Sequence, residues 1–251
     1  VPRDLADPSR WVFNRLAAHY AHRPGYPPAL VGRLVALAGG AGARVADLGA
    51  GTGLLALPLA AAGLRVHAVE PALAMLDVLA AAARDEVPGS VAPVHAAAED
   101  TGLPSASFDL VLLADAIQWV DPDRAGREIA RLAAPGAALA VVEPRLAGTP
   151  FLDALAARIA AANPKARAAG APVGLVFSVA GFPAPRVETF VHEVVLGEEA
   201  LEGVLRSLSY VGPALGPAAL DRLLADAREL ARAHGGAAWR REIVVHAGRR
   251  A

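Results

Sequence analysis

The sequence predicts an α/β fold built on a mostly parallel sheet, and three observations carry that prediction. Between residues 44 and 145 short β-branched runs alternate with Ala/Leu-rich stretches, as in consecutive βαβ units. The composition is 55% hydrophobic but only 5% aromatic, which favours helices packed on a sheet over an all-β sandwich. One apolar run also ends in an acid and enters a glycine loop, Val45-Ala46-Asp47-Leu48-Gly49-Ala50-Gly51-Thr52-Gly53, that opens onto a helix.

The elements follow in order. Residues 1–40 carry Trp11, Phe13, Tyr20 and Tyr26 in a Pro-interrupted context, then a helical stretch from Pro28 to Ala38, and read as a helical lid followed by the first core helix. Strands are expected at Arg44–Leu48, Arg65–Val69, Ala92–Ala96, Asp109–Leu113 and Ala137–Val142, with helices near Leu54–Ala62, Ala72–Arg84 and Arg124–Ala133 between them. Pro135-Gly136 breaks the last helix before its strand. Beyond Pro144 come an Ala-rich helix near Phe151–Ala162, a strand at Arg186–Leu196, an amphipathic helix at Pro217–Ala233 and a final strand at Arg240–Ala247. The turn-rich region 163–185, with Pro164, Gly170, Pro172 and Gly174, reads as an insertion or cap. At 251 residues a single domain is expected, with changes of pattern that divide it into residues 1–40, 44–145 and 146–251.

Composition narrows the function. A formal net charge of -1 gives no field that would gather nucleic acid or an anionic membrane, so a small-molecule partner is expected. Arg240, Arg241, Arg249 and Arg250 read as a solvated edge on a terminal strand. With no Cys there is no disulfide, thiolate site or thiol nucleophile. The mean hydropathy of +0.39 invites a membrane reading, but the one long uncharged stretch, Leu48 to Leu64, contains four glycines and Pro58 and reads as loop and helix. Arg3, Asp4, Asp7 and Arg10 interrupt any leader-like apolar run, so a cytoplasmic protein is expected. His19, His67, His95, His192, His234 and His246, with Glu99 and Asp100, form no tight ligand motif, and no metal is expected. There is no G-x-S-x-G elbow for a Ser-His-Asp hydrolase.

The glycine spacing bears on the ligand. A dinucleotide loop reads G-x-G-x-x-G and seats a pyrophosphate at the helix N-terminus; here the third Gly comes early and Leu54 stands where that pattern has Gly. A ligand with no phosphate and a cationic amino-acid end suits Asp47 instead. Glu70, in Val66-His67-Ala68-Val69-Glu70-Pro71, ends the next strand about 20 residues on, where a carboxylate accepts from ribose hydroxyls.

These segments together resemble the class I S-adenosylmethionine-dependent methyltransferases of the small-molecule type. Asp47-Leu48-Gly49-Ala50-Gly51-Thr52-Gly53 resembles the family's first motif, Glu70-Pro71 its ribose-binding acid, and Ala98-Glu99-Asp100-Thr101-Gly102-Leu103-Pro104 the segment that lines the adenine. Phe108-Asp109-Leu110-Val111 with Ala114 resembles the fourth strand, and Leu132-Ala133-Ala134-Pro135-Gly136 the turn before the fifth. Tyr20 and Arg23-Pro24-Gly25-Tyr26-Pro27 are similar to a lid segment that closes over the cofactor's methionine part. The resemblance implies a Rossmann-like fold with a mostly parallel seven-stranded sheet, helices on both faces and a helical lid. It implies S-adenosylmethionine as cofactor, S-adenosylhomocysteine as product, and methyl transfer to N, O or C of a small molecule.

The cofactor site implied comprises Tyr20, Arg23, Asp47, Gly49, Ala50, Gly51, Glu70, Pro71, Met75, Ala98, Glu99, Ala114 and Asp115. Relatives often carry A-Q-A-F-H-W after the fourth strand; this chain reads Ala114-Asp115-Ala116-Ile117-Gln118-Trp119, so a His base does not carry over. Asp115, Gln118 and Tyr20 stand as candidate catalytic residues. Asp115 has four readings: holding the cofactor's amino group, binding a cationic substrate, accepting a proton, or capping a turn. Trp119 reads as packing, and Tyr20, Tyr26 and Tyr210 as candidate pocket walls. Other uses of the fold stay open: a cofactor-dependent cyclase, a nicotinamide oxidoreductase, or a binding protein without turnover.

Overall fold

The computed structural model describes residues 12–83, 88–164 and 172–250. Trp11, the charged residues Arg3, Asp4, Asp7 and Arg10, Arg84 and Gly170 lie outside them. Seven strands form one sheet in the order β3-β2-β1-β4-β5-β7-β6. These are β1 (Arg44–Leu48), β2 (Arg65–Val69), β3 (Ser90–Val94), β4 (Phe108–Ala114), β5 (Ala133–Leu146), β6 (Arg186–Leu196) and β7 (Ala237–Arg249). The first five run parallel, and β7 lies antiparallel between β5 and β6. The chain winds outward from β1 through β2 to β3, then restarts at β4 on the other side. That reversal opens a crevice at the carboxyl ends of β1 and β4, where α/β sheets of this kind bind ligands.

The strands buried on both faces are continuous apolar runs, Val45-Ala46 and Leu110-Val111-Leu112-Leu113 among them. On one face α2 (Pro28–Ala38) and α3 (Ala56–Ala61) pack through Leu30, Leu34, Leu55 and Leu59. Leu30 and Leu34 are spaced i, i+4 and fully buried, each contributing roughly 1.5–3 kcal/mol. Pro28 in the first turn and Gly39, at φ 102°, past the last fix the ends of α2. The other face carries α5 (Pro122–Leu132) and α7 (Val173–Val179), whose Ile129, Leu132, Val176 and Phe177 pack with Phe108 and Val111. Helices α6 (Pro150–Ala162), α8 (Glu198–Ser207) and α9 (Pro217–Ala233) form a third cluster with Ala237 and Trp239, where β7 begins beside the carboxyl end of β5.

The lid helix α1 (Val12–Tyr20) docks on α4 (Leu73–Ala82) through Leu16, Ala17 and Met75. Asn14 Oδ1 accepts from the Ala74 amide at 3.0 Å, so a lid side chain satisfies a free donor in the first turn of α4.

Three expectations are corrected. The third strand is Ser90–Val94, two residues earlier than read, because it pairs in register with Arg65–Val69. The described part of 163–185 is not a cap over the crevice: α7 is built into the core beneath the opposite sheet face. The C-terminal arginines are not a solvated edge. β7 is paired on both sides, Arg241 is only 8% exposed, Arg249 donates to the Gly136 and Leu37 carbonyls, and Arg250 donates to that of Ala130.

Candidate active site

A cavity of about 190 Å³ opens at the carboxyl ends of β1 and β4. The glycine loop makes its floor. Gly49, Gly51 and Gly53 all have positive φ, and a Cβ on Gly49 would stand 2.7 Å from that of Ala116, so the loop and the segment after β4 approach only without a side chain there. A Cβ on Gly51 would meet nothing within 4 Å, because that position faces the open cavity. The Gly49 and Ala50 amides donate to the Val69 carbonyl, and the Gly51 amide donates to Glu70 Oε2 at 2.9 Å. Glu70 Oε1 accepts from the Ala72 amide. Glu70 therefore sets the loop from the end of β2.

Asp47, next to last on β1, is 1% exposed and lines the cavity, and its Oδ1 has no hydrogen-bond partner. Burial, reinforced by the charge of Glu70, pushes its pKa up to about 7. A buried carboxyl oxygen without a partner is costly. It fits a ligand that brings a cationic donor to this point.

The lid closes the opposite side. Arg23 Nη1 contacts Asp115 Oδ2 at 3.1 Å, its Nε and Nη2 donate to the Ser207 hydroxyl and carbonyl, and its guanidinium lies 4.1 Å from the Tyr20 ring centroid. Phe13 meets Trp119 edge-on with centroids 5.1 Å apart, joining lid to wall. Burial, partly offset by Arg23, pushes the Tyr20 phenol up to about 12, so it is a hydrogen-bond donor and not a base near neutrality. Asp115 takes the left-handed region at φ 51°, a conformation that costs a non-glycine residue about 1–3 kcal/mol. Its amide is held by the Val142 carbonyl. Burial raises its pKa, with Arg23 and the Gln118 amide opposing, although 39% of the side chain stays open to the cavity.

Of the cofactor residues expected from sequence, the structure brings Tyr20, Arg23, Asp47, Gly49, Ala50, Gly51, Glu70, Pro71, Met75, Ala98, Ala114 and Asp115 to this cavity. Glu99 is not among its lining residues: its Oε1 accepts from the Asp121 amide at 2.9 Å, at the N-terminus of α5. Gln118 does not line it either; its amide donates to the Asp115 carbonyl at 3.1 Å and lies 3.4 Å from Oδ1, which makes it a support for Asp115. Tyr26 and Trp119 form part of the wall, whereas Tyr210 lies outside. Missed from sequence are Leu54, Leu55, Arg145, Leu146, Trp239 and Arg241. Among the described residues no three His, Asp or Glu side chains gather as metal ligands, and no helix is long and apolar enough to cross a membrane.

A parallel sheet with a glycine loop at its switch point and acids ending two adjacent strands defines an α/β protein built to bind a nucleoside-type cofactor. Comparisons make this specific. A family model described as "Methyltransferase domain" matches residues 46–141. A protein of Anaeromyxobacter dehalogenans, assigned as a type II methyltransferase, is 31% identical; the match covers 90% of this chain and 97% of that one, with a TM-score of 0.66. An uncharacterised methyltransferase of Mycobacterium tuberculosis is 45% identical over 129 residues, 51% of this chain and 50% of the relative. The chain thus spans about half the length of the curated relatives it matches. The [4+2]-cyclase SpnF shares the fold, with a TM-score of 0.58 at 19% identity over 98% of this chain and 93% of that one. The chain belongs to the class I S-adenosylmethionine-dependent methyltransferase family.

Proposed function

We propose that this protein transfers the methyl group of S-adenosylmethionine to a nitrogen, oxygen or carbon of a small molecule, leaving S-adenosylhomocysteine. The observation that carries this reading is Asp47, a buried carboxylate with an unpartnered oxygen on the cavity wall, one strand from Glu70. Asp47 would take the cofactor's ammonium, Glu70 its ribose hydroxyls, and the loop at Gly49, Ala50 and Gly51 gives the backbone room to approach. Pro71, Met75 and Ala98 supply apolar wall on the adenine side. Tyr20 and Arg23 cover the methionine end. On this reading residues 1–40, 44–145 and 146–251 serve as lid, cofactor core and substrate side of one domain.

A bound S-adenosylmethionine supplies a sulfonium whose methyl group is already activated for in-line transfer. What remains for the chain is to orient the acceptor and exclude water. The Phe13–Trp119 contact closes one side against solvent. Asp115, bonded to Arg23 and close to Gln118, would take a proton from an acceptor that arrives protonated. Tyr20 keeps its proton and orients. The near-neutral charge of the chain supports a small acceptor over nucleic acid, and a cytoplasmic setting is part of the same proposal. The test is release of S-adenosylhomocysteine from methyl-labelled cofactor across a panel of small amines, alcohols, acids and activated carbon acids. Label appearing in a product supports transfer; tight cofactor binding with turnover of an acceptor that gains no label would favour a non-transfer reaction such as cyclisation.

A further inference from the structure

One wall of the cavity has no task in holding the cofactor. Arg241 lies on β7 opposite Leu146, at the carboxyl end of β5, and lines the cavity while only 8% exposed. β7 is three strands from β1, roughly 14 Å across the sheet at ~4.8 Å per strand. The guanidinium is held by neutral groups. Nη2 donates to the Gly25 carbonyl and meets His192 Nδ1 at 2.9 Å, and the Tyr26 ring centroid lies 5.6 Å away. His192 is kept toward its neutral form by burial and by Arg241 itself.

Among the described residues Arg241 has no carboxylate partner. Nη1 makes no hydrogen bond, and Nε is buried without one. Asp115, the acid whose field reaches it, is already paired with Arg23. Arg240, the preceding residue, does not line the cavity. A buried guanidinium with no counter-charge is an expensive thing to maintain. Its fork of donors is matched by a carboxylate or phosphate. At the rim on the same side Arg145, 62% exposed, is bound only loosely, 3.5 Å from Glu143.

On the footing of the cofactor assignment above, we infer that the acceptor carries an anionic group, carboxylate or phosphate, which Arg241 anchors at the β7 wall with Arg145 at the rim. The rest of the acceptor then lies between Trp239 and Trp119 and reaches toward Asp115. An anchor at that end would select among acceptors by charge and fix which atom faces the methyl group.

The experiment is calorimetric titration of the chain saturated with S-adenosylhomocysteine, using phenylacetate, phenyl phosphate and neutral phenylacetamide as probes. At least one anion is expected to bind at least about tenfold more tightly than the amide, as one charge-assisted hydrogen bond implies, and the stronger of the two anions tells carboxylate from phosphate. Arg241→Gln should erase the preference while leaving affinity for S-adenosylhomocysteine unchanged, and Arg145→Gln should reduce the preference only a few-fold. Equal binding of anions and amide, binding of none, or a preference that survives Arg241→Gln would overturn the inference. Loss of S-adenosylhomocysteine affinity in Arg241→Gln would overturn it too, by giving Arg241 to the cofactor. If Arg241→Gln does not fold, the anion/amide ratio of the unaltered chain and the effect of Arg145→Gln decide. Failure of the unaltered chain to bind S-adenosylhomocysteine is a separate result, read before any probe is added, and defeats the cofactor assignment itself.

Discussion

Replacing Asp47 with Asn should uncouple cofactor binding from pH. In the ligand-free fold the Asp47 pKa stands at about 7 against an ordinary 3.8, a gap of about 3 units or ~4 kcal/mol at most. Below pH ~4 folded and unfolded chains both hold the proton. As pH rises the unfolded chain ionises first, so stability is lost through the window up to about 7, where the folded carboxyl ionises as well. A ligand ammonium at Oδ1 needs the ionised form, which is about 9% populated at pH 6 and about 91% at pH 8 for this pKa. Affinity for S-adenosylhomocysteine should therefore rise about tenfold between pH 6 and pH 8, with a proton released on binding in the lower half of that range. Asp47→Asn should bind more weakly and lose this pH dependence, and its ligand-free form should melt higher than the unaltered chain at pH 8. Calorimetry at both pH values in two buffers of different ionisation enthalpy reads affinity and proton release together. A flat pH profile for the unaltered chain, or equal affinity in Asp47→Asn, would refute the reasoning.

Glu70→Ala should weaken S-adenosylhomocysteine binding by about 1–3 kcal/mol, since it removes the acceptor for the Gly51 and Ala72 amides as well as the ribose contact; equilibrium dialysis checks this, and unchanged affinity would remove Glu70 from the site. Gly51→Val should abolish binding because the new side chain enters the open cavity, and at φ 56° it also strains the loop, so a lower Tm is expected with circular dichroism still showing the fold. Asn14→Ala should leave the Ala74 amide without its acceptor and cost about 1 kcal/mol, a fall of about 2–4 °C in Tm by scanning calorimetry.

Residues adjacent in sequence made the cofactor half of the site legible. Asp47 and the glycines sit within seven positions, and Glu70 follows at the end of the next strand, so spacing alone places them together. Strands β1, β2 and β6 and helices α2 and α9 keep their expected bounds, because each is a clean periodic run between Gly or Pro boundaries. The acceptor half depends on pairing between distant segments. Nothing local in Trp239-Arg240-Arg241 shows that β6 will cover the outer side of β7, so the arginines read as an edge. Glu99 stands off the cavity lining for a related reason: its Oε1 accepts from the Asp121 amide, 22 residues on, and that contact exists only once α5 docks. Helix α7 has seven residues among Gly and Pro, too few for a helical period to stand out, and the ten-residue α8 carries Glu198 and Glu199 in its first turn but no side-chain cap. The left-handed Asp115 carries no sequence mark at all. Its conformation is imposed by the Val142 carbonyl and the turn into Ile117–Trp119.

The central claim is that the crevice at β1, β2 and β4 is shaped for S-adenosylmethionine, and parallel calorimetric titrations with S-adenosylmethionine, S-adenosylhomocysteine and NAD test it most directly. The account predicts saturable one-to-one binding of both adenosyl ligands and none of NAD. Preference for NAD, or no binding of either adenosyl ligand to the folded chain, would contradict it.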